Sequence, residues 1–330
     1  MTTTIRFARL ARQAPHTTCL ALALCAGAAF AQTPARYEGL CDASAAIALD
    51  ARHFVVASDE VNTLVIFDRD RPQAVGRVAL DDFLRTGDSE ADLEAATLVG
   101  DRIYWIGSLS RDSKGRTAPQ RDQLFATDID RSTTPPTLRP VGAGPAHIRA
   151  ALLASSAGRA WQLEAAAGKA PESTGGLNIE GLAHTADGAL LIGFRNPLRE
   201  GKALVVPLRN PAQVIEKGQA PQFGDAIALD LGGRGVRAMT SVADGFLVVG
   251  GPVADEGTFA LFHWRGGVDD TPRMLGQPAL GTLRPEALFD WPGTARLQLL
   301  SDDGGVEEGG KRCKKLPEKK QSFRSLAFER

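Results

Sequence analysis

The sequence predicts an all-β protein, a β-propeller most simply of five blades, with six blades as the alternative. Three observations predict it. Pairs of short apolar strands recur along the chain, a polar turn that often carries Asp-Gly joins the strands of a pair, and a charged residue precedes most pairs. Asp-Gly between apolar runs is typical of a β-hairpin. Hairpins that repeat at intervals of roughly 50 residues are typical of propeller blades.

Five units share this pattern. They begin at Tyr37, Asp92, Asn178, Val236 and Arg284. In the third unit, Glu180 stands before an apolar run, and Asp187-Gly188 separates that run from a second one. Runs 203–208 and 226–231 supply a third and a fourth strand. A sandwich would not require the same hairpin to restart behind a similar head residue, so the repeat favours the propeller.

The longest interval between units suggests an insertion. From Glu94 to Glu180 the interval is 86 residues, and it contains the alanine-rich segment 146–170, which lacks the alternation of a strand. This segment is predicted to be a helical insertion, with a degenerate sixth blade as the alternative. At the other end of the chain, 322–329 alternates well enough to be a strand that returns to the last blade.

Residues 1–31 have the features of a secretory signal peptide. Arg6, Arg9 and Arg12 precede the apolar run 19–31, which ends in the small residues that a signal peptidase reads. The run is shorter than the roughly 20 residues needed to span a bilayer. The sequence therefore predicts a signal peptide over 1–31 and a single propeller domain over 32–330. The protein would be periplasmic or secreted, with no stable membrane insertion after cleavage.

Cleavage after Ala31 would leave two cysteines, Cys41 and Cys313. An even pair in an exported protein suggests a disulfide, and two unrelated thiols are the alternative. A bond between them would join the two ends of the mature chain. That is where a closed ring must lock its first blade to its last.

Charge and motifs exclude several function classes. The formal net charge of −1 becomes −4 when the three arginines of the leader are removed, and the basic tail 311–320 is best interpreted as a solvated loop. We therefore expect no nucleic-acid partner. The chain contains no G-x-S-x-G elbow, P-loop, H-E-x-x-H or C-x-x-C motif. No motif in the sequence therefore indicates a particular reaction.

Several longer stretches carry a family resemblance. They include YEGLCDAS, RIYWIGSLSRDSKGR, LDLGGRGVRAM and LRPEAL. Together they resemble the bacterial domain of unknown function 3616 family, a propeller-like group, over nearly all of the mature chain. Cys41 and Cys313 also match the family's pattern, and 143–176 matches it least. The resemblance implies a propeller fold and leaves the activity open.

The candidate site follows from propeller geometry. The first strand of each blade lines the central channel, and the second runs back, so the head of the first and the exit of the second are neighbours. One mouth of the channel should therefore collect the polar residues at these positions. The ligand-binding candidates are Glu38, Asp59, Asp92, Glu94, Ser108, Arg111, Glu180, Arg195, Asn196, Arg237, Glu286 and Asp302.

The chemistry of these candidates supports three functional hypotheses. Carboxylates suit a hard cation, Ca²⁺ or Mg²⁺, with Glu94, Glu180 and Glu286 as the candidate ligands. Arginines beside them suit an anionic ligand. The primary hypothesis is a module that binds a small molecule or cation. The alternatives are a metal-dependent hydrolase of a phosphoester or lactone, and an interaction scaffold whose protein partner is unknown. A ring of Glu–Arg pairs that only satisfies the channel is the structural alternative.

Overall fold

A computed structural model describes residues 1–2, 34–254 and 256–330. In this part of the chain the apolar runs form five four-stranded antiparallel sheets, as predicted for a five-bladed propeller. Residues Gln32–Arg330 form one compact unit. The predicted signal peptide lies almost entirely outside the described residues and stays a prediction. Among the described residues, no helix is long and apolar enough to cross a membrane.

The strands follow the predicted hairpins closely. The first is β1 (Ala35–Glu38). Blade one contains β2 (Ala45–Ala48), β3 (His53–Ser58), β4 (Val61–Asp68) and β5 (Ala74–Ala79). Blade two contains β6 (Leu93–Val99), β7 (Arg102–Gly107), β8 (Leu124–Asp130) and β9 (Thr137–Pro140). Blade three contains β10 (Asn178–His184), β11 (Leu190–Asn196), β12 (Ala203–Leu208) and β13 (Ile227–Leu229).

The last two blades continue the same order. Blade four contains β14 (Gly235–Val242), β15 (Gly245–Gly251), β16 (Ala260–Trp264) and β17 (Arg273–Met274). Blade five contains β18 (Pro285–Asp290) and β19 (Arg296–Ser301). A small hairpin, β20 (Glu307–Glu308) and β21 (Lys311–Arg312), precedes β22 (Ser322–Glu329). The predicted returning strand, 322–329, is therefore confirmed.

The innermost strands of the blades form the wall of the channel. β2, β6, β10, β14 and β18 contact one another in that order, and β18 closes the ring on β2. Apolar clusters fill the spaces between neighbouring blades. Three buried tryptophans lie among the blades and donate their indole N–H inside the protein, at 2.8–3.0 Å; these are Trp105, Trp264 and Trp291.

Strands from both ends of the domain complete blade five. β22 pairs with β19, and β1 pairs with β22 as the outermost strand, with Tyr37 opposite Phe323. Beside this closure, Cys41 and Cys313 form the predicted disulfide, with 5.8 Å between their Cα atoms. The bond closes a loop with a sequence separation of 272 residues. In the chain-entropy model so long a loop is worth on the order of 5 kcal/mol.

The position predicted for Glu38 is wrong. Glu38 lies in β1 at the outer edge of blade five, where its carboxylate accepts a hydrogen bond from Gln73 Nε2 at 3.1 Å. The innermost strand of blade one is β2, which begins at Ala45. The prediction chose Glu38 because the repeated units were aligned on a glutamate. The apolar run that is buried in the ring, Ala45–Ala48, starts several residues after Glu38.

The alanine-rich segment is helical, as predicted, and no sixth blade forms in the described part of the chain. It contains α2 (Arg149–Ala154), α3 (Ser156–Ala160) and α4 (Leu163–Ala166), preceded in the chain by α1 (Asp81–Leu84). The side chain of Ser155 caps α3 by accepting from Gly158 N at 3.0 Å. These helices pack on blades two and three.

The sequence reasoning missed α5 (Pro211–Lys217), although its signals were present. Pro211 stands in the first turn, and Gly218 ends the helix with a φ of 60°, which favours glycine.

Candidate functional site

A β-bulge in an inner strand places a charged residue in the channel mouth in four of the five blades. In β10, Ile179 pairs with Phe194 and Gly181 with Gly193, so that Glu180 falls in the bulge. The same interruption occurs in three other inner strands, at Glu94 in β6, Arg237 in β14 and Glu286 in β18. A bulge leaves its extra residue without a ladder partner and re-aims the side chain. This explains why the chain repeats a charge at the head of an apolar strand.

Blade one differs from the other four. The pairing of β2 with β3 is regular from Ala45 to Ala48, with no bulge. Its charged groups come instead from the chain on either side of this hairpin, Asp42 before β2 and Asp59 after β3. The contribution of blade one therefore depends on loops and not on the repeat.

The mouth is a cavity of about 410 Å³. Eight of the twelve predicted candidates line it: Asp59, Asp92, Glu94, Glu180, Arg195, Arg237, Glu286 and Asp302. It is also lined by Glu60 and Ser110, which follow the second strands of their hairpins, and by charged or polar residues that the site prediction did not include, among them Asp42, Arg121, Asn178, Arg284, Arg312 and Lys314. Apart from Asn178, these residues lie outside the repeated hairpins, so the repeat carried no signal for them.

Besides Glu38, three predicted candidates lie outside the lining and support its loops. Ser108 is fully buried and donates to Ser110 Oγ at 2.8 Å. Arg111 donates to the carbonyls of Ala167, at 2.9 Å, and Gly115, at 3.1 Å. The Asn196 amide donates to the carbonyls of Pro171 and Ser173, both at 2.7 Å. Their polar groups are used to hold the main chain around the mouth.

One side of the mouth is a network of paired charges centred on Glu180. Its Oε1 accepts from Arg195 Nη1 and from Asn178 Nδ2, both at 3.0 Å. Its Oε2 lies 2.8 Å from Arg237 Nε, an ion pair in which the N–H does not point at the oxygen. Arg237 also pairs with Glu286. Carboxylates and guanidinium groups alternate here, so the charges on this side of the mouth are paired with one another.

The opposite side has an excess of carboxylates. Oxygen atoms of Asp59, Asp92 and Glu94 lie within 4.8 Å of one another. Arg121 Nη1 donates to Asp92 at 2.8 Å, and Ser44 Oγ donates to Asp59 at 3.3 Å. Glu94 is only 9% exposed, and within residues 34–254 and 256–330 its carboxylate has no hydrogen bond or ion pair.

The crowding of like charges changes the acidity of this cluster. Burial, together with the charges of Asp302 and Asp92, raises the pKa of Asp59 to about 8. Burial raises the pKa of Asp92 to about 6, although Arg121 opposes the change. Burial and the neighbouring carboxylates hold the pKa of Glu94 well above its ordinary value. Nearby, burial and Asp59 raise the pKa of Asp42 to about 10. The cluster therefore retains protons near neutral pH.

The structure groups the candidate metal ligands differently from the prediction. Glu94 was predicted to act with Glu180 and Glu286, but Arg237 contacts both of those glutamates. The structure instead groups Glu94 with Asp59 and Asp92. Gly251 makes the position of Arg237 possible, because a Cβ there would lie 2.6 Å from Arg237 Cγ. A side chain on Gly251 would push the guanidinium away from the glutamates.

Comparison with known proteins bears on the family. Residues 162–294 match the model of a family described as Protein of unknown function (DUF3616). The match confirms the family resemblance over these residues, whereas the resemblance inferred from the sequence extended over nearly all of residues 32–330. The matched segment runs from the end of the helical insertion through blades three and four into blade five. No curated protein sequence matches the chain.

Solved structures are similar to the chain at low identity. One is the PQQ-bound aldose sugar dehydrogenase from Streptomyces coelicolor, at 12% identity and a TM-score of 0.43, covering 90% of this chain and 99% of that one. Another is the glutaminyl cyclase of Myxococcus xanthus, at 12% identity and a TM-score of 0.42, covering 89% of this chain and 94% of that one. At these values no activity is carried over to this chain.

Proposed function

We propose that this propeller binds a divalent cation of the calcium type in the mouth of its channel, with Asp59, Asp92 and Glu94 as ligands. The observation that carries the proposal is Glu94, a carboxyl group that is nine-tenths buried beside two others and has no hydrogen bond or ion pair in the described part of the chain. Such a group is costly to ionise unless a partner offsets its charge. A bound cation would supply that partner.

The spacing of the cluster suits one ion. Ca²⁺ is bound by oxygen at roughly 2.3–2.6 Å, so two oxygens on the same ion are at most about 5 Å apart. The three carboxylates meet this condition, since their oxygens lie within 4.8 Å of one another. The charge balance of the mouth points the same way, because ten carboxylates and six cationic side chains line it.

Titration of the purified protein, its disulfide intact, with Ca²⁺, Mg²⁺ and Mn²⁺ tests the proposal. At a hundred times its dissociation constant, an ion that binds only the folded state should add about 2.7 kcal/mol to the free energy of unfolding. We expect Ca²⁺ to raise the melting temperature clearly and Glu94→Gln to abolish the effect.

Glu60→Gln is the matched control for this titration. Glu60 lines the same mouth but is exposed and pairs with Lys314 at 2.7 Å. Its loss should weaken binding far less than the loss of Glu94. A protein that no divalent ion stabilises, or a shift that survives Glu94→Gln, contradicts the proposal.

A second candidate function is metal-assisted hydrolysis of an anionic ester or a lactone. It is favoured by the presence of the carboxylate cluster and of arginines in one cavity of about 410 Å³. A bound cation would polarise the substrate oxygen, and the arginines would hold the negative charge. Phosphoesters and lactones should be assayed with the Ca²⁺-loaded protein. Turnover absent from the wild type, or unchanged in Glu94→Gln, argues for binding without chemistry.

We also propose that the protein is exported to the periplasm or secreted. The disulfide between Cys41 and Cys313 supports this, because such bonds persist in oxidising compartments. Mass spectrometry of the protein recovered from each cell fraction should give a mature chain that begins at Gln32. Recovery of uncleaved protein from the cytoplasm alone would contradict it.

A further inference from the structure

We propose that Arg284 and Arg312 form an anion-binding subsite in the same mouth, and that the ligand is a small phosphomonoester held between these arginines and the cation. The inference rests on the proposed cation site, because the phosphoryl group is expected to contact that cation. It differs from the arrangement expected from the sequence, which assigned an anion to Arg111, Arg195 and Arg237.

The other cationic side chains of the mouth are already paired. Arg195 pairs with Glu180, Arg237 with Glu180 and Glu286, Arg121 with Asp92 and Glu90, and Lys314 with Glu60. Arg284 and Arg312 also line the cavity, and within residues 34–254 and 256–330 their guanidinium groups have no hydrogen bond or ion pair. They are the cations that remain available to a ligand.

Arg284 is held in place without using its guanidinium group. Its N–H donates to Ser301 Oγ and its carbonyl accepts from Asp302 N, both at 2.9 Å. Its Nη1 lies 3.1 Å from the point where a Cβ on Gly305 would stand. The φ of Gly305 is not left-handed, so this glycine provides room for the guanidinium and does not serve a turn. The main-chain hydrogen bonds of Arg284 thus place its guanidinium group in the mouth, beside the backbone of Gly305, which has no side chain.

Arg312 extends from a segment that is attached to the rim of the mouth. It ends the hairpin formed by β20 and β21 and directly precedes Cys313. The disulfide to Cys41 and the hydrogen bond from Cys313 N to Val306 O, at 2.8 Å, attach this hairpin to the rim. The exposed guanidinium therefore extends from an anchored segment.

The charges of the mouth define the ligand class. A phosphomonoester dianion offers three terminal oxygens, which is enough to contact a cation and guanidinium groups at once, and arginine suits such oxygens. Where the carboxyl groups around the cavity are ionised, they outnumber the cations and repel an anion, and a bound divalent cation removes much of that repulsion. Anion and cation should therefore bind with positive coupling, which is reciprocal.

Calorimetric titration with phenyl phosphate tests the inference on the full disulfide-bonded protein, at saturating Ca²⁺ and again in chelator. We expect binding with Ca²⁺ that weakens at least tenfold in chelator and at least tenfold in the double variant Arg284→Gln/Arg312→Gln. The Ca²⁺ affinity of that variant, measured without phenyl phosphate, should stay within threefold of wild type. Arg273→Gln is the control, since Arg273 is exposed on β17 and does not line the mouth.

The outcomes separate the two proposals. Unchanged phenyl phosphate affinity in the double variant, or no binding by the Ca²⁺-loaded wild type, overturns the anion subsite while the Ca²⁺ titration with Glu94→Gln still decides the cation site. Arginine-dependent binding in a protein that binds no Ca²⁺ supports the subsite and overturns both the cation site and the coupling. Benzoate bound as tightly as phenyl phosphate would overturn the phosphomonoester assignment.

Discussion

Glu94 and Glu180 occupy the same position in neighbouring blades and have opposite surroundings. Each lies in a bulge at the head of an inner strand, and each is at least nine-tenths buried. Glu180 contacts two arginines and an asparagine, whereas Glu94 faces Asp59 and Asp92. The repeated backbone sets where the carboxylate points, and its neighbours decide what it can do there.

The neighbours differ because they come from parts of the chain that the repeat does not govern. The hairpin that carries Glu180 ends in Arg195, and the next inner strand brings Arg237. The hairpin that carries Glu94 ends in Ser108 and Ser110, and blade one adds Asp59 from a loop. One side of the mouth is therefore a closed set of ion pairs, and the other is left with unbalanced negative charge.

The largest expected effect comes from breaking the paired side. Glu180→Gln removes the charge that Arg195 and Arg237 share, and removing one partner of a buried ion pair typically costs about 3–5 kcal/mol. We expect a loss of free energy of unfolding of this size in urea denaturation, with or without Ca²⁺. A loss below about 1 kcal/mol would show that solvent screens this network and would remove the contrast between the two sides.

A dependence on pH should arise from the acidic side. Asp92, with a pKa of about 6, and Asp59, with a pKa of about 8, keep protons in the folded state that the unfolded chain has already released. The folded state thus binds more protons between pH 5 and 8, so the free energy of unfolding falls as pH rises. We expect a loss of at least about 2 kcal/mol across this range in chelator, because the raised pKa values of Asp42 and Glu94 add to it while partial exposure of Asp59 reduces its share. Urea denaturation at four pH values measures it.

The control for this pH series is Asp59→Asn, which should make the pH dependence shallower without abolishing it, because Asp42, Asp92 and Glu94 remain. The difference between the two proteins isolates the mouth from His184, whose pKa burial lowers and whose effect on stability has the opposite sign. Saturating Ca²⁺ should also cancel the loss at pH 8, because the ion replaces the protons. A free energy of unfolding that rises equally in both proteins would contradict the assignment.

The smallest expected effect has the opposite sign to that of Glu180→Gln. In chelator at pH 8, Glu94→Gln removes a buried carboxyl group whose raised pKa costs stability at this pH, and it should stabilise the protein by about 1 kcal/mol. That gain corresponds to a few degrees in melting temperature. Destabilisation by Glu94→Gln in chelator would mean that Glu94 has a structural partner like that of Glu180.

Local features made much of the architecture predictable. Strand pairs joined by short polar turns predicted the blades, the alanine-rich segment without alternation predicted the helical insertion, and Cys41 and Cys313 were the two cysteines expected to pair. Residues at the heads of the repeated strands, such as Glu180 and Arg237, were found because the bulge recurs with the hairpin. The missed helix α5 shows the limit of prediction from local features. Its signals were only a proline in the first turn and a glycine after the last, inside a sequence dominated by β-strands.

By itself, then, the sequence determined the propeller, its insertion, its closure by Cys41 and Cys313 and most of the charged residues at one end of the channel. Only the tertiary structure decided that Glu38 lies on the outer edge of blade five, that Arg237 neutralises two glutamates, and that Arg284 stays free within the described residues. The physical reason is that these two sets of features depend on interactions of different range along the chain. Strand and turn formation depend on neighbours in sequence, whereas ion pairing and proton affinity depend on distances between side chains from different blades.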